Sequence, residues 1–230
     1  MKGINSMKKT MTLLLLALAL TSLSAATVYV GGEVGINSNY IIAGSGYSGY
    51  EYLSASGLDI RVPVVVEFTP NIALETGASF QTKPYGYTKS VTVKGERNDI
   101  FGYDEVNSFI EIPLSLRLSI DFGGSRWGAF ATLGGYCGYW VYGFRTGVAY
   151  GLTSGRPVEE KTDLSYYNRF EAGLSASVGA DVEFGSFDAY LLVGYSIALT
   201  DMNKSQKYAS YPVHNSTVTV AAGLLWGVNK

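Results

Sequence analysis

The chain of 230 residues has one cysteine, Cys137, and one histidine, His214. A lone cysteine excludes an intrachain disulfide, and with a single histidine it also excludes a Cys/His metal constellation. Basic residues do not exceed acidic ones: Lys and Arg number 17, Asp and Glu 19. A chain without basic excess is a poor nucleic-acid binder. Long apolar runs are missing too. After residue 26 nothing approaches the ~18–20 apolar residues of a spanning helix, so any crossing of a membrane must be made by a closed barrel.

What is present begins with a leader. Lys2, Lys8 and Lys9 precede the apolar run MTLLLLALAL at 11–20, and TSLSAA at 21–26 supplies small residues for cleavage. This is the layout of a cleavable signal peptide over 1–26, leaving 27–230 as one domain. An uncleaved N-terminal anchor is the alternative, but the run is far shorter than a spanning helix. Removing the leader removes three lysines and makes the acidic excess larger.

Beyond it, apolar and polar residues alternate. In FIEIPLSLRLSIDF (109–122), Ile110, Ile112, Leu114, Leu116, Leu118 and Ile120 share one face, while Phe109, Glu111, Pro113, Ser115, Arg117, Ser119 and Asp121 share the other. Period two marks a strand. Similar segments are expected at 27–37, 57–68, 72–81, 126–141, 168–184, 187–199 and 216–228. The glycine-rich 126–141 does not declare its facing. TPN (69–71), GGS (123–125) and GS (185–186) are tight turns, whereas the other connections run to roughly fifteen to thirty polar residues, unusually long for a soluble domain. Short turns at one end and long loops at the other predict an all-β, eight-stranded, antiparallel up-and-down transmembrane β-barrel. A soluble exported barrel is the alternative and would turn its apolar face inward.

This frame assigns residues. Glu33, Asp59, Arg61, Glu67, Glu75, Gln81, Glu111, Arg117, Arg169, Glu171, Asp181, Glu183 and Asp188 are expected as a lumen charge ladder, with arginines bridging carboxylates. An eight-stranded lumen is just wide enough for side chains to fill. Phe68, Phe122, Trp127, Phe184, Phe187 and Trp226 form an aromatic girdle at the short-turn end; Phe80, Phe109, Tyr139, Tyr142 and Phe170 form a second near the long loops. Tyr47, Tyr50 and Tyr52, in a Gly/Tyr-rich stretch at 44–57, are candidate loop contacts. Lys83, Lys89, Lys94 and Arg97 make the second long loop basic, a feature that suits lipopolysaccharide phosphates. Pro63 and Pro113 lack donors inside a closed ladder, so a bulge or local break is expected at each.

Chemistry is thin. His214 and Ser216 form a His-x-Ser pair like that of lipid A deacylase barrels, but no Asp or Glu follows residue 201 to orient the histidine. No catalytic, cofactor or metal site is expected.

From about residue 105 onward the chain resembles the PorT-like outer-membrane β-barrel family, related in architecture to the OmpX and OmpA barrels. The resemblance rests on Phe109, Glu111, Ile112, Pro113 and Leu114; on Gly173, Gly179, Glu183 and Phe184; and on Tyr195, Leu199 and Thr200. It implies an outer-membrane location in a Gram-negative envelope and insertion by the barrel-assembly machinery. It implies little about activity, since this fold hosts adhesins, pores and enzymes. Trp226 stands four residues from the end of the sequence, where many such barrels end on an aromatic residue. The expected role is structural or surface-interacting through the long outer loops, in contact with outer-membrane lipid, lipopolysaccharide and an unknown external ligand. A narrow small-solute channel is the alternative, and a lipid-modifying enzyme using His214 the third reading.

Overall fold

A computed structural model describes residues 26–44, 50–93, 96–150, 155–203 and 212–228. Nine strands are described: β1 (Thr27–Ala43), β2 (Tyr50–Thr69), β3 (Ile72–Val93), β4 (Glu96–Asp121), β5 (Trp127–Tyr150), β6 (Gly155–Lys161), β7 (Phe170–Phe184), β8 (Phe187–Ala198) and β9 (Val213–Gly227). All pairings are antiparallel. β1 to β5 pair in sequence, β5 pairs on to β7, then β8 and β9 follow, and β9 returns to β1. Eight strands therefore close the ring, and β6 is an appendage on the outer part of β5.

The alternation is inside-out relative to a soluble barrel. On β4 the outward side chains from Ile110 to Ile120 range from Leu116 at 47 % exposure to Ile120 at 64 %, while Glu111, Ser115 and Arg117 between them are buried. Only a lipid solvent makes such a face favourable. The same parity resolves β5: Phe130, Thr132, Tyr136 and Trp140 point inward, and Trp127, Leu133, Cys137 and Tyr139 point outward.

Four strands outrun the bilayer. β4 has 26 residues; at ~3.4 Å per residue that is roughly twice what a tilted strand needs to cross a ~30 Å core. The expected long connections from β1 to β2 and from β3 to β4 are thus largely strand. β2 begins at Tyr50, and only residues 94–95 separate β3 from β4. The expectation of irregular loops there is corrected. Tyr, Thr and Val favour strands, and in water no apolar outer face is needed to announce them. Tyr52 lies in the β2 wall rather than on a loop, with Tyr85 and Tyr87 at ring distances of 6.3 and 6.2 Å. Tyr50 belongs to β2; Tyr47, Lys94 and residues 1–25 of the expected signal peptide (1–26) lie outside the described residues.

The prolines break the ladder without a bulge. Pairing of β1 with β2 lapses between Val30↔Val64 and Glu33↔Arg61 and resumes unshifted, so Pro63 stands opposite Gly31. Pairing of β3 with β4 lapses between Thr76↔Leu114 and Ser79↔Glu111, so Pro113 stands opposite Gly77. A proline removes one donor but adds no residue, and a gap in the hydrogen bonds suffices. Thr76 Oγ1 donates to the Pro113 carbonyl at 2.8 Å. Gly77 is required: its φ is 146°, and a Cβ there would lie 2.2 Å from Val62 O.

Candidate functional site: a filled lumen

The lumen is packed in layers. Its floor, toward the short turns, is apolar: Tyr29, Val65, Phe130, Tyr190, Leu192 and Leu225 form one buried cluster. Above it lies an arginine layer. Arg61 reaches two carboxylates, with Nε 3.6 Å from Glu33 Oε1 and Nη1 3.4 Å from Glu75 Oε1. Arg117 holds the other oxygen of Glu75 at 3.5 Å, and its guanidinium lies 3.6 Å above the Phe130 ring. Tyr190 donates to Glu33 Oε2 at 2.7 Å. Arg61 bridges two acids and Arg117 adds a second cation to Glu75; neither grips a carboxylate bidentately.

Next is a polar cavity of about 60 Å³ whose lining includes Asp59, Gln81, Ser115, Thr132 and Thr219. That is room for roughly two waters. Gln81 Nε2 donates to Asp59 Oδ2 at 3.2 Å.

A lysine layer follows. Lys83 is fully buried. Its Nζ sits 2.6 Å from Glu111 Oε1 and also pairs with Glu171. Glu171 accepts from Tyr136 Oη at 2.9 Å and from Asn215 Nδ2 at 2.6 Å. Asn39 and Thr217 extend the network, at 3.2 Å from Asn39 Nδ2 to Asn215 Oδ1 and 2.9 Å from Thr217 Oγ1 to Asn39 Oδ1. The ammonium also lies 4.8 Å from the Phe109 ring centre and 5.0 Å from that of Tyr136.

An aromatic cap closes the outer end. Phe109 and Trp140 are buried and stacked at 5.7 Å, joined by Tyr85, Met202 and Val213. Tyr167 packs on Trp140 at 5.0 Å. Beyond the cap, outside the membrane-spanning part, Glu105 accepts from Tyr85 Oη and Thr162 Oγ1 at 3.2 and 3.3 Å. Burial holds its carboxyl above the ordinary glutamate range. Burial, with Glu105 nearby, pushes Tyr87 up to about 12.

A family model for the outer membrane protein beta-barrel domain matches residues 22–204. The chain belongs to that family. Its location is the outer membrane. Solved barrels similar to it include Neisserial surface protein A, at 12 % identity, with 87 % of this chain and 96 % of that one covered and a TM-score of 0.46. OprG of Pseudomonas aeruginosa gives 12 %, 87 %, 95 % and 0.48, and Ail of Yersinia pestis 12 %, 86 %, 98 % and 0.40. A comparison with curated proteins found no match.

In this outer-membrane barrel Glu33, Asp59, Arg61, Glu75, Glu111, Arg117 and Glu171 converge in the two charged layers and the cavity between them. Asp181 and Asp188 sit half-buried nearer the short turns, with Glu67 likewise half-buried on β2. Two expected ladder members are corrected. Glu183 is exposed near the end of β7, where the chain has already left the lumen. Arg169 precedes β7, donates Nε to Trp140 O at 2.9 Å and stacks on the outward ring of Tyr139. Phe109 is corrected from girdle to lumen, since it shares the face of Glu111. Phe68, Phe122, Trp127, Phe184 and Trp226 are exposed at the short-turn end, and Phe187 stacks between Phe184 and Trp226 at 5.4 and 6.2 Å.

Lys83 was expected on a basic loop; it is a fully buried charge of the lumen. It continues the inward spacing of Glu75, Ser79 and Gln81, which is the pattern that reveals it. His214 lies on the face opposite Asn215 and Thr217. Its Nδ1 is 3.0 Å from Thr200 O, and Ser216 Oγ donates to Tyr195 Oη at 2.9 Å. Neither contact joins histidine to serine or to a carboxylate.

Proposed function

We propose that this barrel is a closed, non-conducting and non-catalytic anchor that acts through the sheet it projects from the membrane. One observation carries the reading: Lys83 is sealed between Glu111 and Glu171 beneath Phe109 and Trp140. A conducting path would have to cross an ion-paired layer, a buried aromatic layer and an apolar floor, and moving charge through such layers is costly. The strands β2 to β5, prolonged outward with β6 appended, supply an external surface with a paired backbone, suited to contact with another molecule. Within the family, the Phe109–Leu114 and Tyr195–Thr200 patterns favour a PorT-like relationship. Planar-bilayer recordings of refolded protein test the closed lumen: no conductance steps above background are expected, and regular steps would reinstate the small-solute channel. His214→Ala should leave lipid A unchanged in mass spectra of the envelope; a changed acyl pattern would reinstate the enzyme.

A further inference from the structure

Strand β5 changes partner near the outer edge of its lipid-facing band. It pairs with β7 as far as Tyr139↔Phe170, and with β6 from Phe144↔Lys161 outward. Residues 162–169 cross the seam between them. Thr162 N donates to Gly143 O at 2.9 Å, and Trp140 N donates to Arg169 O at 2.8 Å. Between those anchors Leu164 and Tyr167 turn onto the aromatic cap. A groove of about 980 Å³ lies at this seam, lined by Tyr139, Val141, Lys161, Asp163, Arg169 and Phe170 among others. Tyr139 also pairs with Ile110, the outermost member of the β4 aliphatic stripe. The groove therefore opens where acyl chains end and headgroups begin.

Its charge and shape suit one kind of occupant. The Arg169 guanidinium lies 4.5 Å from the Tyr139 ring centre, and Lys161 Nζ lies 5.5 Å from that of Tyr142. Both rings are on the outer wall, 47 % and 44 % exposed. Arg169 uses Nε on Trp140 O, and its Nη1 and Nη2 have no partner among the described residues. Asp163 shares the groove, but its carboxylate caps the short turn at Leu164–Tyr166 by accepting from Ser165 N at 3.0 Å. Two cations against one engaged acid leave a positive site. Cations backed by interfacial aromatics bind phosphate at a membrane surface, arginine by its fork and lysine as a point charge.

We propose that this groove seats the phosphorylated sugar headgroup of an outer-leaflet glycolipid, with Arg169 and Lys161 on phosphate and Phe170 and Tyr139 against the sugar and first acyl methylenes. The site rests on the outer-membrane placement of the barrel. Native mass spectrometry of the refolded full chain, with bisphosphorylated lipid A as probe, tests it. The chain should retain one lipid, and Lys161→Gln with Arg169→Gln should weaken retention by about tenfold. Lys161→Gln alone touches only an exposed side chain and should weaken it by a few-fold, while Arg169→Lys, which keeps the charge but loses the fork and the stack on Tyr139, should retain more lipid than Arg169→Gln. Arg126→Gln, at the opposite end of β5, should change nothing. Equal retention by the double variant overturns the site. So does equal binding of dephosphorylated lipid A or of phosphatidylglycerol, or displacement by inorganic phosphate, which would mark a free-phosphate site. Heat-dependent gel mobility of each variant separates these outcomes from failure of the barrel to form.

Discussion

The two charged layers of the lumen solve the same problem with opposite stoichiometry. In the lower layer two arginines share Glu75, and Arg61 also reaches Glu33. In the upper layer one lysine serves two acids, Glu111 and Glu171. Arginine's planar fork can span neighbouring strands and stack on Phe130, while a lysine ammonium is compact enough to sit between two carboxylates contributed by β4 and β7. Together the layers cross-link the wall: Glu33, Arg61, Glu75 and Arg117 come from β1 to β4, Tyr190 from β8, and the lysine network adds β5, β7 and β9 through Tyr136, Glu171 and Asn215. The difference is redundancy. Loss of one arginine leaves Glu75 another partner; loss of Lys83 leaves two buried acids with no cation.

That asymmetry orders the expected effects. Lys83→Met should cost the most, about 3–5 kcal/mol, the range for breaking a buried ion pair from one side. Urea titration of refolded protein in micelles, read by gel mobility, measures it. Adding Glu111→Gln and Glu171→Gln to Lys83→Met should recover a large part of the loss, because the orphaned charges go with the lysine. Arg117→Met should cost less, roughly 1–2 kcal/mol, since Arg61 stays on Glu75 and methionine still packs on Phe130. If Arg117→Met proves as damaging as Lys83→Met, redundancy does not distinguish the layers.

The wall was more legible than its contents, for a physical reason. Lipid imposes a uniform outer face, so Ile110 to Ile120 announce strand, facing and depth together, and TPN, GGS and GS mark the periplasmic turns. Outside the bilayer that demand lapses, and Tyr85, Tyr87 and Tyr103 build paired strand that reads like loop. Inside the lumen, parity identifies which residues enter but not which of them meet. The expected third strand stops at residue 81 and leaves Lys83 on the loop beyond it, although Lys83 keeps step with Glu75, Ser79 and Gln81. Phe109 reads as girdle by its position near a strand end, yet it keeps step with Glu111. Arg169 has inward parity, but β7 starts one residue later, at Phe170, leaving it free to turn onto Tyr139.

The smallest effect belongs to the acid above the cap, which extends the contrast into water. Glu105 accepts hydrogen bonds from Tyr85 and Thr162 and feels Arg145, but burial dominates and raises its carboxyl above the ordinary glutamate value. The folded chain then holds this proton to a higher pH than the unfolded chain does. Stability from Glu105 is therefore present below the ordinary glutamate pKa and is lost as pH rises through the raised one. Glu105→Gln should match the wild type within about 1 kcal/mol in acid, where both side chains are neutral, and lose this part of the slope as pH rises. Amide hydrogen exchange in the outer parts of β3 and β4, followed across that range, reads the difference. Parallel slopes for the two proteins would mean that Glu105 is hydrated enough to ionise normally.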